Sequence, residues 1–139
     1  MVIMSVDYGD VRTGLAVCDK NEILASPVCV IADSNRDSLV EKIMVHAKER
    51  RAECFVVGLP KNMDGSEGFR AEACREFASL LAEKSGLDVN LYDERLTTVS
   101  AHNILNMTDT RGKKRKAVVD AVSAVMILED YMAHRRNSR

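Results

Sequence analysis

The first 31 residues hold three strand-length apolar runs, at positions 2–6, 13–18 and 23–31, with no room between them for a helix. The connections are six residues long, 7–12, and four residues long, the polar turn Asp19-Lys20-Asn21-Glu22. A parallel crossover needs about a dozen residues or more, so these three strands are expected to be antiparallel neighbours. Whatever follows must pack on a sheet that begins this way.

After that the period changes. From position 38, Leu39, Val40, Ile43, Met44 and Ala47 follow helical spacing, with Glu41, Lys42, Lys48 and Glu49 between them; positions 34–37 offer caps. A buried strand at 54–59 is stopped by Pro60, and a glycine-bearing loop, 61–66, leads into a second helix. Phe69, Ala73, Phe77, Leu80 and Leu81 read as its inner face, and Gly86 as its stop. Positions 89–92 form a fifth strand running into Asp93 and Glu94. Thr97 or Thr98 can cap a third helix that buries Ala101, Ile104 and Leu105. The polar stretch 107–115 is expected to be a mobile loop, and 116–134 a long helix, apolar on nearly every side. The chain therefore reads as an α/β fold. Its mixed five-stranded sheet has three antiparallel strands, then parallel ones, and is flanked by helices.

With 139 residues, 46% of them hydrophobic, and only two prolines, the expectation is one globular domain spanning 1–139. No window has the length of a membrane span, and no cleavable leader is visible at the start. Cys18, Cys29, Cys54 and Cys74 lie scattered in apolar stretches without a C-x-x-C pair, so they read as reduced core thiols of a cytoplasmic protein.

Asp7 ends the first strand, Asp93 and Glu94 end the fifth, and Asp120 lies in the last helix. In helical projection Asp120 shares a face with Ala117, Ala124, Ile127 and Tyr131, whereas Glu129 points away. A carboxylate on a packed face costs several kcal/mol unless a cation or donors meet it. A salt bridge to Arg12 or Lys116 would do that. The other reading brings three acids to one edge of the sheet, at the strand ends where open α/β sheets build their sites. Three such acids would repel one another, and a divalent ion removes the conflict. Oxygen-only ligands favour Mg²⁺ or Mn²⁺ over Zn²⁺. His46, His102 and His134 lie far apart; His102 alone is close in sequence to the acid at 94.

Gly9 permits a sharp turn after Asp7, and Gly14 leaves room for a backbone or phosphate to approach. The stretch is neither a Walker A loop nor a dinucleotide fingerprint, and a tight hairpin explains it equally well. In the loop after Pro60, Asp64-Gly65 can be a plain turn with Ser66 as the helix cap, or the helix start can hold a phosphate. The net charge of −1 decides nothing about partners. However, Arg111, Lys113, Lys114, Arg115 and Lys116 are clustered, and Arg135, Arg136 and Arg139 crowd the end, where a frayed tail is the plain reading.

The pattern D-Y-G-x-x-R-x-G-x-A (Asp7, Tyr8, Gly9, Arg12, Gly14, Ala16) resembles the opening of the YqgF/RuvX family. The run VGLPKNMDGSEG at 57–68 and DERLTT at 93–98 resemble its next two signatures, and Lys116 with Asp120-Ala121 and ILEDY at 127–131 its fourth. The resemblance implies an RNase H-like fold and a metal-dependent phosphodiesterase, with Asp7, Glu94 and Asp120 as catalytic residues and metal ligands. Strand alternation turns only one of Asp93 and Glu94 toward the site, and the family suggests Glu94. Two Mg²⁺ or Mn²⁺ ions about 3.5–4 Å apart would be bridged by Asp7. Arg12 and Arg95 would hold phosphate, with Tyr8, Gly9, Gly14 and Asn62 beside the substrate. The basic loop Arg111, Lys113, Lys114, Arg115 and Lys116 would supply affinity for the nucleic-acid backbone. With few aromatics, a broad stacking platform is not expected.

The function implied is processing of the 5′ end of pre-16S rRNA in ribosome biogenesis, with structured RNA as partner and no membrane. The alternatives are resolution of four-way DNA, which requires a stable homodimer where an RNA enzyme can be a monomer, and a non-catalytic nucleic-acid-binding scaffold. Asp-Gly hairpins also occur in actin-like ATPases and sugar kinases, but those need two such domains.

Overall fold

The computed structural model describes residues 1–60, 64, 66–93 and 112–137, with side chains in the last stretch from position 122 onward. Five strands and three helices are described: β1 (Ile3–Asp7), β2 (Arg12–Cys18), β3 (Ala25–Ala32), α1 (Arg36–Arg50), β4 (Cys54–Leu59), α2 (Phe69–Ser85), β5 (Asp88–Asp93) and α3 (Gly112–Asn137). They build one sheet of order β3-β2-β1-β4-β5. β1–β2 and β2–β3 pair antiparallel, whereas β1–β4 and β4–β5 pair parallel, the mixed arrangement expected.

Strand alternation gives the sheet two apolar faces. Met4, Val6, Leu15, Val17, Phe55 and Val57 pack under α1 and α2, meeting Leu39, Ile43, Phe77 and Leu81. Ile3, Ala16, Cys18, Cys54 and Val56 take the opposite face and meet Ala124, Ile127, Leu128 and Met132 of α3. Pro27 is tolerated because β3 is an edge strand, and a register shift at Leu15/Ala16 falls across from it. α1 is capped by Asn35, whose side chain accepts from the Ser38 N–H at 3.0 Å. α2 ends at Gly86 in the left-handed region, as expected (φ 71°).

Several expectations are corrected. Ile23 and Leu24 do not belong to β3 and are exposed. The Asp19 carboxylate accepts from both of their N–H groups, at 2.7 and 2.9 Å, which extends the turn by two residues. Phe69 does not line the inner face of α2; it is 88% exposed. Residues four apart advance about 400° around a helix, so a 69-73-77 row drifts off the buried stripe of Ala71, Cys74, Ala78 and Leu81. Ser66 does not cap α2. Its N–H and hydroxyl both bond Asp64 Oδ1, and Gly68 is the cap residue.

The last helix starts at Gly112, not at 116. Lys113, Lys114 and Arg115 thus lie in its first turns and not on a loop. Lacking apolar residues does not break a helix, and Lys and Arg are good helix formers. Nor are Arg135 and Arg136 a frayed tail. Arg135 Nε donates to Glu22 Oε1 at 2.8 Å, and Arg136 Nη1 to the Glu22 carbonyl at 3.2 Å. The third helix expected after Thr97 or Thr98 lies outside the described residues.

All four cysteines are free thiols. Burial pushes Cys18, Cys29 and Cys54 up from the ordinary thiol range, so they stay protonated at neutral pH. Among the described residues no helix is long and apolar enough to cross a membrane.

Candidate active site at the carboxyl edge of the sheet

β1, β4 and β5 are parallel, so their carboxyl ends, Asp7, Leu59 and Asp93, lie along one edge. The last β1–β2 pair is Asp7 with Gly14, so no side chain stands across from the acid. Asp7 follows Ile3 and Ser5 in the alternation and shares their face, the one that α3 covers. Arg12 lies on the same face through its alternation with Gly14, Ala16 and Cys18. Its Nη1 is buried and has no hydrogen-bond partner among the described residues. Removing a cationic donor from water without replacing its partner costs about 1–3 kcal/mol or more.

The direction of α3 follows from its contacts. Near its end Arg135 meets Glu22, which also bonds the Met1 amino group, at the start of β1. Further up, the Ser5 hydroxyl donates to the Ala124 carbonyl at 2.6 Å. The helix therefore runs antiparallel to β1. Four residues back from Ala124 is about 6 Å of helix, and two residues on from Ser5 is about 6.6 Å of strand. The turn of α3 that carries residue 120 comes level with Asp7.

Tyr8 is not brought beside Asp7. Its ring stacks on Phe77 of α2, with centroids 4.2 Å apart and planes 5° off parallel, and it packs in the cluster under α1 and α2. Gly9 is required by space. A Cβ there would stand 2.1 Å from the Arg12 carbonyl oxygen, which belongs to the backbone and cannot move aside. Asp93 follows Leu91 and Val89, which pack toward α1 and α2, whereas Tyr92 meets Tyr131 of α3. Asp93 and Asp7 thus alternate to opposite faces.

Asn62, Glu94, Arg95, His102 and Arg111 lie outside the described residues, and so do the side chains of Lys113, Lys114, Arg115, Lys116 and Asp120. Among the described residues no three His, Cys, Asp or Glu side chains form a metal-holding group.

Two residues at this edge were missed in the sequence. Phe69 was misread as core. Arg70 bonds Tyr8 O and Asp10, sixty residues away, a pairing no local pattern reveals. The one signal was a cation in the first turn of a helix, where the helix dipole disfavours it.

The match to known proteins covers nearly the whole chain. Residues 1–134 match the family model RuvX, described as Holliday junction resolvase. A protein of Rhodopirellula baltica named "Putative pre-16S rRNA nuclease" is 42% identical over 130 residues, covering 94% of this chain and 75% of its own. One of Halothermothrix orenii with the same name is 41% identical over 135 residues, covering 97% and 96%. Among solved structures, Thermus thermophilus RuvC in complex with Holliday junction substrate aligns with TM-score 0.64 at 14% identity, over 99% of this chain and 97% of that one. The Fowlpox virus resolvase with junction DNA aligns with TM-score 0.60 at 11% identity, over 97% and 99%. These likenesses show the fold, which is RNase H-like, and the relatives' names support a nuclease function. With its family model matched from residue 1 to 134 and relatives above 40% identity along nearly its full length, the chain belongs to the RuvX family.

Proposed function

We propose that this protein is a divalent-metal-dependent nuclease that hydrolyses phosphodiester bonds at the 5′ end of precursor 16S rRNA. The observation that carries this is that Asp7 and a buried Arg12 Nη1, which has no hydrogen-bond partner among the described residues, lie on one face of one sheet edge. An acid and a guanidinium donor together suit a phosphodiester, whose metal would need an anion and whose oxygens would need a donor. The names of the relatives supply the substrate.

Asp7, Glu94 and Asp120 would hold the metal. The donor set is oxygen only and triply anionic, which fits Mg²⁺ or Mn²⁺. Asp93 alternates away from Asp7, so Glu94 is the acid taken from that pair. Bound, the metal would lower the pKa of the attacking water and neutralise charge at the leaving oxygen. Arg12 would donate to a non-bridging phosphate oxygen. Gly14 would leave the approach to Asp7 open, and Gly9 would keep the turn tight enough for Arg12 to return beside it. Lys113, Lys114 and Arg115 begin a helix whose first turn has no acidic residue, so cations and the helix dipole would both attract the nucleic-acid backbone.

The test is cleavage by wild type and Asp7→Asn, with Mg²⁺ or Mn²⁺, of a precursor 16S rRNA 5′ segment, a four-way DNA junction and unstructured controls. Metal-dependent cutting of the RNA, lowered at least about 10³-fold in the variant, is expected. Paired cuts in the junction with the RNA left intact would assign the protein to resolution. Equal binding by both proteins without cutting would make it a scaffold.

A further inference from the structure

A cation in the first turn of a helix opposes the helix dipole. Arg70, the second residue of α2, is such a cation, and it does not turn out to solvent. Its Nη2 donates to the Tyr8 carbonyl at 2.6 Å and its Nη1 to Asp10 Oδ1 at 2.5 Å, and its Cζ lies 5.5 Å from the centroid of the Tyr8 ring. The Asp10 side chain is 81% exposed, so this ion pair alone would stabilise little. The charged bond to a main-chain carbonyl is the stronger contact.

That carbonyl belongs to the residue directly after Asp7. The β1–β2 ladder ends with the Asp7–Gly14 pair, so no strand partner fixes the Tyr8–Gly9 peptide. Its N–H reaches only Thr13 Oγ1, at 3.4 Å. Tyr8 is instead gripped from the opposite side of the sheet: the ring by Phe77 and the carbonyl by Arg70. Alternation within β1 turns Asp7 to the α3 face, and these contacts hold the next residue, Tyr8, on the face under α1 and α2.

We propose that Arg70 is a positioning residue for the Asp7 carboxylate, acting through the Tyr8 carbonyl; this rests on the nuclease reading. Arg70→Met keeps the apolar stem over the Tyr8 ring and removes both donors. Arg70→Lys keeps a charge that can reach one acceptor, and Asp10→Asn removes only the exposed ion pair.

Three quantities separate positioning from general structural support: kcat and KM on the rRNA segment, the Kd for that RNA without divalent ions, and Mn²⁺ binding to RNA-free protein followed by electron paramagnetic resonance. For Arg70→Met, kcat is expected to fall about 10–100-fold, as for an ångström-scale misplacement. KM and the metal-free RNA Kd should stay within about twofold, and Mn²⁺ binding should weaken. Arg70→Lys should lie between, and Asp10→Asn should match wild type. Raised KM and RNA Kd with unchanged kcat would overturn the proposal, because Arg70 would then grip phosphate itself. A lowered melting temperature with unchanged kcat per folded molecule would also overturn it. If wild type cuts nothing, the nuclease reading falls; if wild type and Arg70→Met cut equally, only the role of Arg70 falls.

Discussion

At the amino end of β1 the buried carboxylate of Glu22 accepts from Arg135 at 2.8 Å and from the Met1 amino group at 3.1 Å, and its carbonyl accepts from Arg136. At the carboxyl end of the same strand, Arg12 carries a buried Nη1 with no partner among the described residues. Both ends bury charge. At the first, the protein answers every charge itself, and the result is a joint between the 19–24 turn and α3. At the second, a buried donor has no partner among the described residues, as the proposed role of Arg12 toward phosphate requires. A buried donor left for a ligand to satisfy would cost stability in the free protein, and local rules are expected to fail where function needs them to.

The largest effect expected at the unmatched end, after that of Asp7→Asn, comes from Arg12→Met. Cleavage should fall roughly 10²-fold in kcat/KM, the scale of losing one preorganised donor. Apparent stability should rise by about 1 kcal/mol, because a buried unsatisfied donor is gone. Denaturant unfolding alongside kinetics reads both. A parallel loss of stability and activity would break the contrast, since Arg12 would then be a structural residue like Arg135.

At the matched end the change should go the other way. Arg135→Met is expected to cost about 2 kcal/mol by leaving the Glu22 carboxylate without its main partner. The hydrogen bond from Arg135 holds that carboxyl down at about 2 in the folded state, against an ordinary value of 4.5. A depressed folded pKa stabilises above the unfolded value, and this contribution is lost as the pH falls from about 4.5 through about 2. Thermal melts across that window should show a wild-type decline that Arg135→Met flattens. A decline of equal slope in both would show that other carboxylates carry it. The smallest effect should come from Phe69→Ser, within about 0.5 kcal/mol of wild type, because an 88% exposed ring has little burial to lose.

The sheet was legible because strand length, short connections and alternation are local and repeat. Both kinds of pairing follow from runs such as 2–6 and 54–59 with their connections, whereas the strand order, with β4 beside β1, comes from the structure. Failures came where partners are distant or where period was read too coarsely. Ile23 and Leu24 look like the start of a strand until the Asp19 carboxylate claims their N–H groups. Phe69 looks like core in a four-residue row, but 3.6 residues per turn carries it off the buried stripe. The joint between Glu22 and Arg135 spans 113 residues of sequence, and Arg70 reaches Tyr8 across 62, so neither leaves a spacing to find. Of the acids, the strand-end position of Asp7 could be read directly. The level of residue 120 needed the Ser5–Ala124 bond to set the helix along the strand.

That bond and the clasp on Glu22 together make α3 a ruler. A helix is stiff along its axis, and from residue 135 back to residue 120 it measures about 22 Å without a break. Sliding it by a single residue would shift the far mark by about 1.5 Å, as large an error as most chemistry tolerates. The zero of the scale is pinned at the end of β1 far from Asp7, so the alignment of the candidate edge is calibrated at the other end of the molecule.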